Sequence, residues 1–321
     1  MVAHKTLIAE VPNQFGIAIR VFSDGTIERP FNSPIVPPTP HDPQTQVSSK
    51  DVVISHDRLV SLRLYLPKLD HHNEKVPIFL YFHGGAFYFE SAFSRVYHTF
   101  CQTFASQAKA IIVSVEYRLA PEHPLPACYD DCWEALKWVA SHAAENATHT
   151  EPWLVQNGDF SRVFIGGNSA GANIAHNVAV RAGSEELPNG VEIHGAIIIH
   201  PFFHSSDLVG AETLKGEENI SYLIWNFVYP SAPGGVDNPL FNPVGPALDA
   251  IACSKILVCV AGKDRLRERG IWYHEALEKS GWEGKLELFE ESDEGHDYEL
   301  LNPRTENARK LIQRLVAFVQ E

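Results

Sequence analysis

The pentapeptide Gly167-Asn168-Ser169-Ala170-Gly171 is where residue types and spacing first suggest chemistry. It follows a short apolar run at 163–165 and precedes a helix-like stretch at 172–182. A serine between strand and helix sits on a sharp turn, and small neighbours let the two elements approach closely. Its Oγ then lies at a helix N-terminus, where the backbone dipole favours developing negative charge. Such a serine is suited to nucleophilic acyl transfer. A Gly-rich turn with an incidental serine has the same bare pattern, so other residues must decide between the two.

Acyl transfer passes through an oxyanion that fixed N–H groups must meet. His83-Gly84-Gly85-Ala86-Phe87 directly follows the apolar run 77–82. Adjacent small residues let consecutive amides face one cavity, so Gly84, Gly85 and Ala86 are donor candidates together with Ala170, the residue after the serine. Which of them point inward stays open. A base and an acid are also needed. Asp264 follows the run 255–260, and His296 follows a last strand-like segment at 286–289. Ser169, Asp264 and His296 thus fall, in that order, at the ends of strand-like runs. His296 would accept the serine proton, and Asp264 would hold the imidazole. Asp293 and Asp297 read as solvated loop carboxylates. Arg118 and Glu122, in the loop after the run 110–115, read as an ion pair supporting the oxyanion loop.

These residues need a scaffold that brings strand ends together. Continuous apolar runs at 77–82, 110–115, 162–165, 194–199 and 255–260 alternate with helix-like stretches, among them 130–144, 172–182 and 270–280. That alternation predicts a parallel sheet covered on both faces, preceded by a strand in which Leu62, Leu64 and Leu66 alternate with Arg63 and Tyr65. A last helix is expected at 305–320. The Pro-rich stretch 28–49 reads as an extended arm. Residues 1–45 and the aromatic-rich segment 202–246 do not fit the alternation and are candidates for a cap on a single domain spanning 1–321. Phe87, Tyr88, Phe203 and Trp225 are candidates to line a substrate pocket there.

The chain has 321 residues, enough for one large α/β domain with a cap. Its formal net charge of −14 argues against nucleic acid and anionic membrane surfaces as partners. The expected partner is a small-molecule substrate, with the chain a monomer or homodimer. The five cysteines, Cys101, Cys128, Cys132, Cys253 and Cys259, match no metal or redox spacing, so reduced thiols and no metal are expected. Residues 1–10 lack the apolar core of a secretion signal, and no long apolar run occurs. A cytoplasmic location follows as an expectation, which leaves the sequons at Asn146 and Asn219 without consequence.

Taken together these segments resemble the α/β-hydrolase fold, in its hormone-sensitive-lipase branch, and more narrowly the plant carboxylesterase family. The likeness also covers Val21-Phe22-Ser23-Asp24-Gly25-Thr26-Ile27-Glu28-Arg29, residues 117–124 and Ala232-Pro233-Gly234-Gly235. It implies a mostly parallel eight-stranded sheet with helices on both faces, a cap containing the N-terminal segment, and hydrolysis of carboxylic esters without metal or cofactor. Other members do different work. The chain is similar to 2-hydroxyisoflavanone dehydratases, including the His-Gly-Gly-Ala-Phe loop. It is also similar to cyclases of iboga and aspidosperma alkaloids around Glu90-Ser91-Ala92-Phe93 and residues 131–136. Elimination or cyclisation by the same triad is therefore an alternative. A non-catalytic receptor is a second one, although receptors resembling this family lack the histidine that stands here as His296. Ala86 replaces a commoner glycine, and its N–H serves only if the backbone angles suit a Cβ. Asn168 replaces a commoner aspartate, removing a charge beside Ser169.

Overall fold

The computed structural model describes residues 5–13, 16–55, 57, 60–71, 73–144, 151–245 and 248–321. The sequon at Asn146 and parts of the two cap segments (1–4, 14, 15 and 246) lie outside these residues. In chain order, β1 (Leu7–Asn13), β2 (Gly16–Phe22) and β3 (Ile27–Glu28) form a small antiparallel sheet of their own. Then follow β4 (Ser48–Ser55), β5 (Val60–Leu66), β6 (Val76–Phe82), α1 (Arg95–Ala108), β7 (Ile111–Glu116), α2 (Ala127–Ser141), α3 (Pro152–Asn157), β8 (Gly158–Asn168), α4 (Ala170–Ala182), β9 (Ile193–Ile199) and α5 (Ile220–Val228). The chain ends with β10 (Lys255–Ala261), α6 (Arg267–Lys279), β11 (Lys285–Glu291), α7 (Tyr298–Leu301) and α8 (Glu306–Gln320).

The main sheet has eight strands in the order β11-β10-β9-β8-β6-β7-β5-β4. From β7 to β11 every pairing is parallel, while β4 and β5 add antiparallel at one edge. Both faces are covered, which explains the continuous apolar runs. Ile78, Leu80 and Phe82 of β6 pack into one core with Trp133, Leu136 and Ile174 of α2 and α4. Phe79 and Tyr81 point the other way, into a second core with Phe100, Phe104 and Leu315 of α1 and α8. The two edge strands, β4 and β11, keep exposed positions along their length, because each lacks a neighbour on one side.

The Pro-rich arm reaches the sheet sooner than its composition suggests, since Ser48 and Ser49 already pair in β4. Its start is anchored by Arg29, which donates to the Tyr88 and Ala120 carbonyls and pairs with Glu122. This corrects the Arg118–Glu122 pair. Arg118 instead meets the fully buried Asp131 at 2.7 Å, because α2 packs that carboxylate beneath the loop. All five cysteines are free. Among the described residues no helix is long and apolar enough to cross a membrane.

Candidate active site

Parallel strands bring their C-terminal ends to one edge, and the chemistry-bearing residues gather there. Strand β8 stops at Asn168 and α4 starts at Ala170, so Ser169 makes the whole turn, at φ 55° and ψ −117°. Non-glycine residues hold such angles only where surroundings over-determine them. Here the Ser169 N–H donates to Ile199 O at 2.9 Å, and Ser169 O accepts from Phe202 N–H at 3.1 Å. Gly171 lets the helix close in, because a Cβ there would drive into the Phe82 carbonyl.

Asp264 lies just past β10, and His296 lies past β11. His296 Nδ1 donates to Asp264 Oδ2 at 2.7 Å, and the other Asp264 oxygen accepts from Leu266 N–H at 2.9 Å. Burial would raise the Asp264 pKa, but the His296 imidazole and these hydrogen bonds hold it below the ordinary carboxylate value. Ser169, Asp264 and His296 line one cavity of about 150 Å³, a volume that accepts a single aromatic ring.

The loop after β6 lies along the same cavity through Gly85 and Ala86. Gly85 has φ 111°, and a Cβ there would meet the Phe89 carbonyl. Ala86 has φ 50°, a left-handed angle that alanine adopts at some cost. Among the described residues no protein acceptor takes the N–H of Gly85 or Ala86. Gly84 and Ala170 are not in the cavity wall. A buried buttress fixes the loop from behind: Tyr117 stacks on His83 at 4.2 Å and donates to His83 O at 2.7 Å.

A serine on a strained strand–helix turn, a histidine–aspartate pair after the following strands, and this sheet order coincide with the match of residues 79–300 to the α/β-hydrolase fold family. The chain belongs to that family. Within it the chain is similar to a 2-hydroxyisoflavanone dehydratase of Glycyrrhiza echinata, 50% identical over 98% of each chain. It is 45% identical to catharanthine synthase of Catharanthus roseus over 94% of each. It is 41% identical to a probable carboxylesterase of Arabidopsis thaliana over 98% of each.

In this α/β-hydrolase the cavity wall differs from the sequence expectation. Phe87, Tyr88, Phe203 and Trp225 do not line the cavity; all are fully buried. Trp225 stacks on Phe241 at 4.4 Å and donates Nε1–H to Gly235 O, Phe203 packs on Tyr273, Phe87 lies against Tyr129 and Phe202, and Tyr88 meets Phe227. Large rings gain more from complete burial than from a half-open wall. The apolar wall is instead made by Phe89, Phe202, Ile224, Leu266 and Leu300, with Arg265 at its edge. The two segments outside the alternation contribute Ser33, Ile220 and Ser221.

Asp297 is a further correction. Asp293 is solvated, but Asp297 is mostly buried in this cavity, with Oδ2 3.5 Å from His296 Nε2. Its Oδ1 accepts from Asn168 Nδ2 at 2.8 Å, while Asn168 Oδ1 accepts from Tyr81 OH at 2.7 Å. An aspartate at 168 would set two carboxylates against each other, so the amide does more than remove a charge. The Asp297 N–H donates to His200 Nδ1 at 3.2 Å. His200, His296 and Asp297 are the one group of metal-ligand types among the described residues, their atoms within 4.8 Å, and they read as a hydrogen-bonded cluster. Adjacency to His296 was the only sequence signal for Asp297.

Proposed function

We propose that this α/β-hydrolase is a serine carboxylesterase acting on small or medium apolar and aromatic esters. The observation that carries it is Ser169 on its strained turn, in one cavity with a His296 whose Nδ1 is held 2.7 Å from Asp264. Ser169 Oγ attacks the ester carbonyl, and His296 Nε2 takes its proton. Asp264 fixes the tautomer and stabilises the imidazolium. The Gly85 and Ala86 N–H groups, on residues of the cavity wall, are the first candidates to donate to the oxyanion, with Gly84 and Ala170, which lie outside that wall, the remaining candidates. The proton passes to the leaving alcohol, and water activated by His296 clears the acyl-enzyme. This chemistry itself requires neither metal nor cofactor. Segments 1–45 and 202–246 act as the cap that narrows access.

Turnover of p-nitrophenyl acetate should fall by about 10⁴-fold or more in Ser169→Ala, and a fluorophosphonate should label Ser169. Full hydrolysis by the alanine variant would end the assignment. The similarity to a 2-hydroxyisoflavanone dehydratase supports a second reading, elimination of water with His296 as the base. Incubation with a 2-hydroxyisoflavanone separates the two, since a dehydrated product without ester hydrolysis selects the lyase.

A further inference from the structure

Asp297 sets a second acceptor beside the atom that does the chemistry. Its Oδ2 lies 3.5 Å from His296 Nε2, and both residues line the Ser169 cavity. Oδ1 is occupied on its own side, by Asn168 Nδ2 at 2.8 Å with His200 Nδ1 3.5 Å away. Apart from its approach to His296, Oδ2 meets no donor among the described residues. Neither Oδ2 nor His296 Nε2 is among the side-chain atoms sealed from solvent without a partner, as both Glu299 oxygens are. The Asp297 side chain keeps 17% of its surface exposed. Two accessible atoms this close together open on the same part of the cavity.

The charges of the wall point to what Oδ2 would receive. Its ionisable side chains are Glu90, Asp264, Arg265, His296 and Asp297. Asp264 is matched by His296, Glu90 is engaged by Ser33, and Arg265 is exposed. Burial would raise the Asp297 pKa, but the His296 charge and the Asn168 hydrogen bond hold it below the ordinary carboxylate value. Oδ2 therefore offers an anionic acceptor at neutral pH. A hydrogen bond from a cation to such an oxygen gains strength among apolar neighbours, here Phe202, Ile224, Leu266 and Leu300. Ester cleavage also requires His296 Nε2 to reach the leaving oxygen. An amine two carbons from that oxygen lies about 3–4 Å from it, depending on the rotamer, which is close to the Nε2–Oδ2 separation.

The geometry points to Asp297 as a specificity determinant whose Oδ2 receives a hydrogen bond from a protonated amine two carbons from the leaving oxygen. The preferred substrates are then esters of small 2-amino alcohols. This rests on the esterase reading of the Ser169 cavity.

The test compares 2-(dimethylamino)ethyl acetate with 3-methylbutyl acetate, its uncharged isostere, on the full chain at neutral pH. kcat/KM for the amine ester should exceed that for the isostere by about tenfold or more beyond their ratio in uncatalysed hydrolysis. Asp297→Asn should remove this excess while keeping an oxygen for Asn168 Nδ2. A ratio is read because any change in His296 basicity acts on both esters alike. A second measurement needs neither turnover nor the variant: calorimetric binding of 2-(dimethylamino)ethanol and 3-methylbutan-1-ol to the wild-type chain, with protection of Ser169 from a fluorophosphonate as the locator. The amino alcohol should bind about tenfold or more tightly and should protect Ser169. Equal binding of the two alcohols, tighter binding that leaves a labelled Ser169 unprotected, or an excess that survives in Asp297→Asn would overturn the proposal. Asp297-dependent binding of the amino alcohol by a chain that cleaves neither ester would leave the subsite standing and end the esterase reading. Cleavage of both esters without an excess would do the reverse.

Discussion

Asp297 sets the terms on which His296 can act as a base. Burial by itself lowers the His296 pKa, but the Asp297 and Asp264 carboxylates more than offset it and raise the value to about 10. Glu299 and His200 also face this cluster; burial pushes the Glu299 carboxyl up to about 7. A base must be neutral to accept a proton, so the acid limb of kcat/KM should lie above neutrality. Asp297→Asn keeps an oxygen for Asn168 Nδ2 but removes one charge beside Nε2. The limb should then move to lower pH by about one unit or more, read from kcat/KM against pH. A limb that stays in place would mean that Asp297 does not hold the imidazolium.

At the scale of elements, the site depends on how closely α4 approaches the end of β6. Gly→Ala in a helix ordinarily stabilises by about 1 kcal/mol. At Gly171 the sign should reverse, because the added Cβ would meet the backbone of Phe82 and His83, which cannot move aside as a side-chain tip would. Gly171→Ala should cost more than about 3 kcal/mol in urea unfolding and should lower esterase turnover, since the same contact positions Ser169 and the oxyanion loop. The Arg118–Asp131 pair belongs to this scale too: it ties the loop after β7 to the first turns of α2, beneath the cavity-facing loop that Tyr117 supports.

Across the whole molecule, one buried cation joins the 202–246 segment to helix α6. Arg269 on α6 is 1% exposed. It grips Glu212 with two nitrogens, at 2.7 and 2.6 Å, and reaches Ser205 Oγ and the Asp207 carbonyl. Helix α6 begins just after Asp264, so this clamp couples the segment to the acid that orients His296. Arg269→Ala leaves Glu212 without its partner and should cost about 3–5 kcal/mol. Hydrogen exchange should rise more at 205–212 than in β6 or β8. A uniform rise would mean that the clamp serves global stability alone.

The parallel architecture was legible in the sequence because strands buried on both faces must be apolar at every position, as 76–82 and 256–261 are. The nomination of Ser169, Asp264 and His296 was legible because loops at strand ends are where a sheet can gather distant residues. Composition could not say which aromatics face the cavity, since Phe87 and Phe89, two residues apart, part company only through the left-handed turns at 85–87. Nor could sequence distance choose partners: Arg118 found Asp131 across a helix, not Glu122 in its own loop. Asp297 acquired its surroundings only when α/β packing set its carboxylate beside His296 Nε2. Residue types and spacing determine what chemistry is available; the distances and desolvation that select among those groups exist only in the folded chain.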